Sequence, residues 1–120
     1  IAAKICGAKS AYLCDIDSMC VESSVRHAIL NKVDVTVEER DLLSDKDVYG
    51  DLVFANLTAD ILLKLSDGIC DHISDGGYLI ISGIIDSREE EVLTRYLDLG
   101  LKLVDKMSMK DWRAFKFQKI

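Results

Sequence analysis

The chain has 120 residues, with a hydrophobic share of 49% and a charged share of 30%, the length and balance of one globular domain rather than of a disordered segment. Lys+Arg number 15 and Asp+Glu 21, so the formal net charge is -6, which excludes the broad basic face that direct nucleic-acid binding calls for. No apolar run reaches the about 20 residues that cross a bilayer, and Ile1-Ala2-Ala3-Lys4 has neither the basic flank nor the cleavage site of a signal peptide.

The chain does not begin with Met and contains no Pro, which suggests a processed chain or an excised piece. Residues 1–6 read as the tail of a helix, because Ala and Lys are good helix formers, with Gly7 as its C-cap. Ser10 to Asp15 is a short apolar run that ends in an acid, the shape of a buried parallel strand. Ser18 or Asp17 can cap the next helix, whose apolar face carries Val21, Val25, Ala28 and Ile29 and which runs out near Asn31. Val35 to Glu39 is β-branched and alternating, hence a second strand, more exposed than the first. Asp41 follows it, and a polar loop with at most a weak helix leads to Gly50.

Asp51 to Asn56 is again an apolar strand. Ala59 to Ile73 carries Leu62, Leu65, Ile69 and Ile73 at helical spacing and is expected to be one helix. Asp75-Gly76-Gly77 is a turn, and Tyr78 to Gly83 is the most apolar strand, so this strand and 51–56 are expected side by side and buried on both faces. Ser87-Arg88-Glu89-Glu90 fits a capping box, with the Glu89-Glu90-Glu91 run as a solvated first turn. The helix behind it holds Val92, Leu93, Tyr96 and Leu97 and closes at Gly100. Leu101 to Met107 and Trp112 to Gln118 are two strands separated by a few residues, hence an antiparallel hairpin. Alternating strands and helices specify an α/β fold with a mainly parallel sheet and a terminal antiparallel hairpin, one domain over residues 1–120.

Ligands of an open parallel sheet bind outside the carboxyl ends of the strands. That rule selects Asp15, Asp41 and the segment at Asn56. A strand-end acid such as Asp15 accepts hydrogen bonds from a ribose diol, or it simply favours a helix N-terminus. Asp41 could accept from an adenine amino group or be an ordinary loop acid. Asn56 could hold an amine without adding charge, since an amide both donates and accepts, or it could cap the next helix together with Thr58. His27 and His72 read as surface residues. Cys6, Cys14, Cys20 and Cys70 form no C-x-x-C pair and read as buried or half-buried free thiols of a cytoplasmic protein; a zinc site at Cys70 and His72 has only that one short spacing in its favour.

These segments together resemble class I S-adenosylmethionine-dependent methyltransferases, and more narrowly the ribosomal protein L-eleven methyltransferase (PrmA) family. The residues that carry the likeness are Gly7-Ala8-Lys9, Asp15-Ile16-Asp17, Asp41-Leu42-Leu43, the run Asp51 to Asp60 that ends Asn56-Leu57-Thr58-Ala59-Asp60, Ser82-Gly83-Ile84-Ile85, and Asp111-Trp112-Arg113-Ala114-Phe115. The run through Asn56 is similar to the Asn-Pro-Pro-Tyr signature of amine methyltransferases.

The resemblance implies a Rossmann-like sheet whose first strand and glycine-rich loop have no counterpart in this chain, so the chain is expected to be the later part of a catalytic domain. It implies S-adenosylmethionine as cofactor, bound by Asp15 and Ile16 (Asp15 at the ribose), by Asp41 and Leu42 at the adenine, and by Asn56 beside the methyl. Asn56 would also orient the amine as the catalytic residue. The implied function is N-methylation of a lysine or N-terminal amine of a large-subunit ribosomal protein, with no metal. A NAD-dependent oxidoreductase domain also explains the acid after the first strand, and a non-catalytic fragment is the third reading. Without a strand between those ending at Asp15 and Asn56, each is expected to leave unpaired backbone groups, which invites strand exchange with a second chain.

Overall fold

A computed structural model describes residues 1–15, 17–40 and 49–120. The chain forms two compact units, Ile1–Ser44 and Asp45–Ile120, each with its own sheet.

The first unit opens with a single helical turn, α1 (Ala2–Ile5). The expected cap is there: Gly7, at φ +109, follows Cys6, and the Gly7 and Ala8 N–H groups donate to the Lys4 and Ala3 carbonyl oxygens. Strand β1 (Tyr12–Asp15) pairs in parallel with β2 (Thr36–Glu39), Tyr12 opposite Thr36 and Asp15 opposite Glu39. Helix α2 (Ser18–Leu30) connects them, as a parallel pair requires. Its N-cap is Asp17, whose carboxylate accepts from the Met19 N–H at 2.9 Å. Ala28 is buried on its expected face, whereas Val25 and Ile29 are exposed. Across the pair, the Tyr12 hydroxyl donates to Glu38 at 2.7 Å. Burial first, and then this bond, push the Tyr12 phenol up to about 12.

The second unit is a four-stranded sheet in the order β3-β4-β6-β5. Strands β3 (Gly50–Asn56) and β4 (Ile73–Ile85) are parallel, with Asn56 opposite Ser82. Strands β5 (Lys102–Met109) and β6 (Trp112–Gln118) form the expected hairpin, and β6 also pairs antiparallel with β4. Helices α3 (Ala59–Leu65) and α4 (Glu89–Asp98) cover one face. There Leu62, Leu79, Ile81, Val92, Tyr96 and Phe117 have no exposed surface, and burial of such a side chain contributes about 1.5–3 kcal/mol. Tyr96 stacks on Phe117 with ring centroids 5.7 Å apart.

Several expectations need correction. Strand β3 is adjacent to β4 but lies at the edge of its sheet, and its alternate residues Leu52 and Phe54 are 47% and 61% exposed. Only the face bearing Ala55 is covered, so a continuous apolar run here does not mean burial on both faces. The helix expected over 59–73 stops at Leu65 and resumes as a 3-10 turn, Ile69–His72. The Ser66 hydroxyl donates to the Leu63 carbonyl oxygen at 2.6 Å, and Gly68 follows. In a 3-10 turn residues three apart lie on one side, so His72 goes inward with Ile69 and is 3% exposed, not a surface residue.

Residues Asp75-Gly76-Gly77 lie within the irregular first part of β4 rather than in a separate turn. The Ser87 capping box does not form, because Ser87 sits inside a 3-10 turn, Asp86–Arg88, and α4 has no side-chain cap. Glu89 is not solvated like a free first turn: it pairs with Lys106 of β5 and with Arg113 of β6. Cys6 and Cys20 are exposed, against the expected burial, while Cys14 and Cys70 are half-buried. Among the described residues no helix is long and apolar enough to cross a membrane.

Candidate functional site

Asp15 and Asn56 close β1 and β3 at their carboxyl ends, one in each unit. Ile16, Asp41 and Leu42, the other sequence-selected residues, lie outside the described residues.

Asp15 is exposed, and one carboxylate oxygen accepts from the Asp17 N–H at 3.0 Å. That bond ties the carboxylate to the start of α2 and leaves acceptor capacity on its second oxygen. The neighbouring charge is negative: the Asp15 carboxylate first, with Asp17, raises the Cys20 thiol above its ordinary range. A carboxylate so placed is suited to a neutral hydroxyl donor and unsuited to a phosphate.

Asn56 sits where β3 stops. The Leu57 N–H still donates to the Ser82 carbonyl oxygen at 3.1 Å, so the ladder holds the backbone on both sides of Asn56. Thr58 then begins α3 as its N-cap, with φ -66 and ψ 161 but no side-chain cap bond. The capping role open to Asn56 and Thr58 on sequence grounds is therefore not realised. The Asn56 side chain is exposed and makes no hydrogen bond among the described residues. Its amide, one acceptor and two N–H donors, is uncommitted at the end of a strand whose backbone is fixed.

Two further residues hold this segment, and sequence reasoning gave neither a role. Arg88, just before α4, donates to Asp60 of α3 at 2.9 Å and to Glu91 at 2.8 Å. The pair joins the first turns of two helices 28 positions apart, a separation no local pattern displays. Gly83, at φ +84, lies against the Asn56 side chain and the Leu57 backbone: a Cβ built there would fall 2.7 Å from Asn56 Oδ1 and 2.8 Å from the Leu57 carbonyl oxygen. Its sequence signal is a glycine one residue past the register partner of Asn56.

The family model for ribosomal protein L11 methyltransferase (PrmA) matches residues 1–120. A relative of that name from Anoxybacillus flavithermus is 37% identical over 117 residues, 96% of this chain and 38% of its own length. The chain thus spans well under half of that curated relative. The crystal structure of a ribosomal protein L11 methylase from Lactobacillus delbrueckii subsp. bulgaricus superposes with a TM-score of 0.94 at 29% identity, over 99% of this chain and 63% of that one. The N-methyltransferase NodS from Bradyrhizobium japonicum, solved with S-adenosyl-L-homocysteine, shares the fold, with a TM-score of 0.75 at 16% identity, over 92% of this chain and 67% of that one.

The nicotinamide reading, open while only the acid after the first strand was considered, finds no support in these likenesses. The family model over residues 1–120 and the relative 37% identical over 96% of this chain show that the chain belongs to the ribosomal protein L11 methyltransferase (PrmA) family.

Proposed function

We propose that the protein carrying this sequence is an S-adenosylmethionine-dependent N-methyltransferase of a ribosomal protein, L11 by the name its relatives bear, and that residues 1–120 are part of its catalytic domain. The observation that carries the reading is the uncommitted Asn56 amide on a fixed backbone. The fold shared with an N-methyltransferase solved with S-adenosyl-L-homocysteine supports the cofactor.

Asp15, of the described residues proposed for the cofactor, is the one suited to its ribose. Asp15 offers an exposed carboxylate oxygen to a ribose diol, and its other oxygen is held by the Asp17 N–H. Ile16, Asp41 and Leu42 are proposed for the ribose and adenine on the sequence resemblance. When bound, S-adenosylmethionine supplies a sulfonium methyl open to in-line displacement.

Asn56 serves the amine. Its carbonyl oxygen accepts an N–H of the substrate and so aims the nitrogen lone pair at the methyl. A lysine amine, with an ordinary pKa of about 10.4, reaches the site neutral only after giving its proton to water. A neutral amide, unlike a carboxylate, does not favour the ammonium form. Transfer of the methyl to that nitrogen would leave the C–S electron pair on sulfur, with Asn56 keeping the amine in line. The methylated nitrogen then loses its surplus proton to water.

Methyl transfer from labelled cofactor to purified L11 tests this in the full-length protein. Asn56→Ala is expected to slow turnover about 10²–10³-fold, as loss of a transition-state hydrogen bond does, with cofactor affinity unchanged within a few fold. A variant that keeps half its activity removes Asn56 from the mechanism.

A further inference from the structure

We infer that Gly83 is a positioning residue for the Asn56 amide: the side chain it lacks leaves the space in which Asn56 Oδ1 and the following peptide sit. The inference rests on the proposed role of Asn56. Strands β3 and β4 are in parallel register with Asn56 opposite Ser82, so the next residue of β4 comes directly beside the turn from β3 into α3. At that point β4 has an irregularity, its register with β6 shifting between Ile81 and Ile84. Gly83 takes φ +84 there, in the left-handed region that side chains with a Cβ adopt at a cost.

The conformation alone would ask for glycine. The surroundings ask for it a second time. A Cβ at this position would lie 2.7 Å from Asn56 Oδ1, 2.8 Å from the Leu57 carbonyl oxygen and 3.3 Å from the Leu57 nitrogen. Ordinary carbon–oxygen contacts begin well beyond that. Asn56 could swing its amide aside, but the Leu57 backbone cannot move freely: its nitrogen is bonded to the Ser82 carbonyl oxygen at 3.1 Å, and the Thr58 carbonyl oxygen that follows it accepts the Leu62 N–H at 2.9 Å. A methyl group at 83 therefore displaces the amide, the peptide behind it, or both. Either movement misaligns the group that holds the nucleophile.

The strain of a left-handed residue and the displacement of Asn56 can be separated within this molecule. Gly76 has φ +78 in the same strand, and Gly100 has φ +89 after α4; at each, an added Cβ meets nothing within 4 Å. Gly76→Ala and Gly100→Ala therefore carry the backbone penalty without touching Asn56.

In the full-length protein, Gly83→Ala is expected to lower kcat by about tenfold to a hundredfold, the effect of a misplacement near 1 Å. The KM for L11 and the affinity for S-adenosylmethionine should stay within a few fold, and Gly76→Ala and Gly100→Ala should keep the wild-type kcat. Asn56→Ala and the Asn56→Ala/Gly83→Ala double variant should be equally slow, since nothing remains to be positioned.

Wild-type kcat in Gly83→Ala beside an inactive Asn56→Ala overturns the role of Gly83 and leaves that of Asn56 standing; so do additive losses in the double variant. An active Asn56→Ala overturns the mechanism itself. If Gly83→Ala does not fold, the wild-type protein decides. Nuclear Overhauser contacts between the Gly83 α-protons and the Asn56 side chain should persist when S-adenosylhomocysteine and L11 are bound. Their loss on binding would show that Asn56 works from another position and would overturn the inference.

Discussion

The Tyr96 hydroxyl donates a 2.7 Å hydrogen bond to the Leu62 carbonyl oxygen, a buried contact between residues 34 positions apart. It ties the last turn of α4 to the middle of α3, and the same ring stacks on Phe117 of β6. Burial, the largest cause, raises the phenol far above its ordinary value, so it remains a donor throughout the working pH range. The Leu62 oxygen also accepts the Ser66 N–H at 3.0 Å, so it is not left bare when the hydroxyl is removed.

Tyr96→Phe is accordingly expected to cost only about 1 kcal/mol in urea unfolding, the net worth of one hydrogen bond. Tyr96→Ala, which also empties the space against Phe117, is expected to cost about 3–5 kcal/mol. Equal losses in the two variants would show that the hydroxyl, not the ring, secures the helices.

Glu89 receives Lys106 and Arg113 from the two hairpin strands, and the bond to Lys106, the largest cause, holds its carboxyl below the ordinary value of 4.5. A carboxyl whose pKa is lowered by folding stabilises the fold fully above its unfolded value and loses that contribution as pH falls through the folded one. Glu89→Gln should therefore lower the thermal midpoint at neutral pH, and the gap from wild type should close progressively below 4.5. A gap constant across that range would mean that the carboxylate charge contributes nothing.

Asp15→Ala is expected to weaken S-adenosylmethionine binding about ten- to a hundredfold by calorimetry in the full-length protein, the worth of hydrogen bonds to a charged acceptor. Asp15→Asn, which still accepts the Asp17 N–H, should fall between. Unchanged affinity in both would remove Asp15 from the cofactor site.

The hairpin was readable because period-two patterning and two short runs separated by a tight turn are local signals; Trp112–Gln118 begins and ends where its pattern does. Asp17 as cap and Gly7 as helix stop are equally local. The rest depended on contacts that no window of sequence contains. The apolar stripe Leu62, Leu65, Ile69 and Ile73 is buried as expected, but it is carried by α3, a 3-10 turn and the first residue of β4, and the change of pitch turned His72 inward. Leu52 and Phe54 look like core in a strand pattern, yet only the opposite face of β3 meets helices. At the candidate site, Asn56 was visible as a polar residue closing an apolar strand. The partners that hold its segment come from later elements: Gly83 stood out only as part of the Ser82-Gly83-Ile84-Ile85 likeness, and its closeness to Asn56, like that of Arg88 to Asp60, was recognisable only in space.

The place of β6 in the sheet has a consequence for synthesis. Strand β5 precedes it in the chain, yet β5 reaches β4 only through β6, which lies between them. As the polypeptide emerges from the ribosome, β3, α3 and β4 can associate early, but β5 has no edge to join until Trp112–Gln118 is available. Phe117, which stacks on Tyr96, and Phe115, packed against Phe117, arrive with the same strand. A nascent chain halted before residue 112 would thus expose the apolar underside of β4 and α4, the surface that chaperones bind and aggregates grow from.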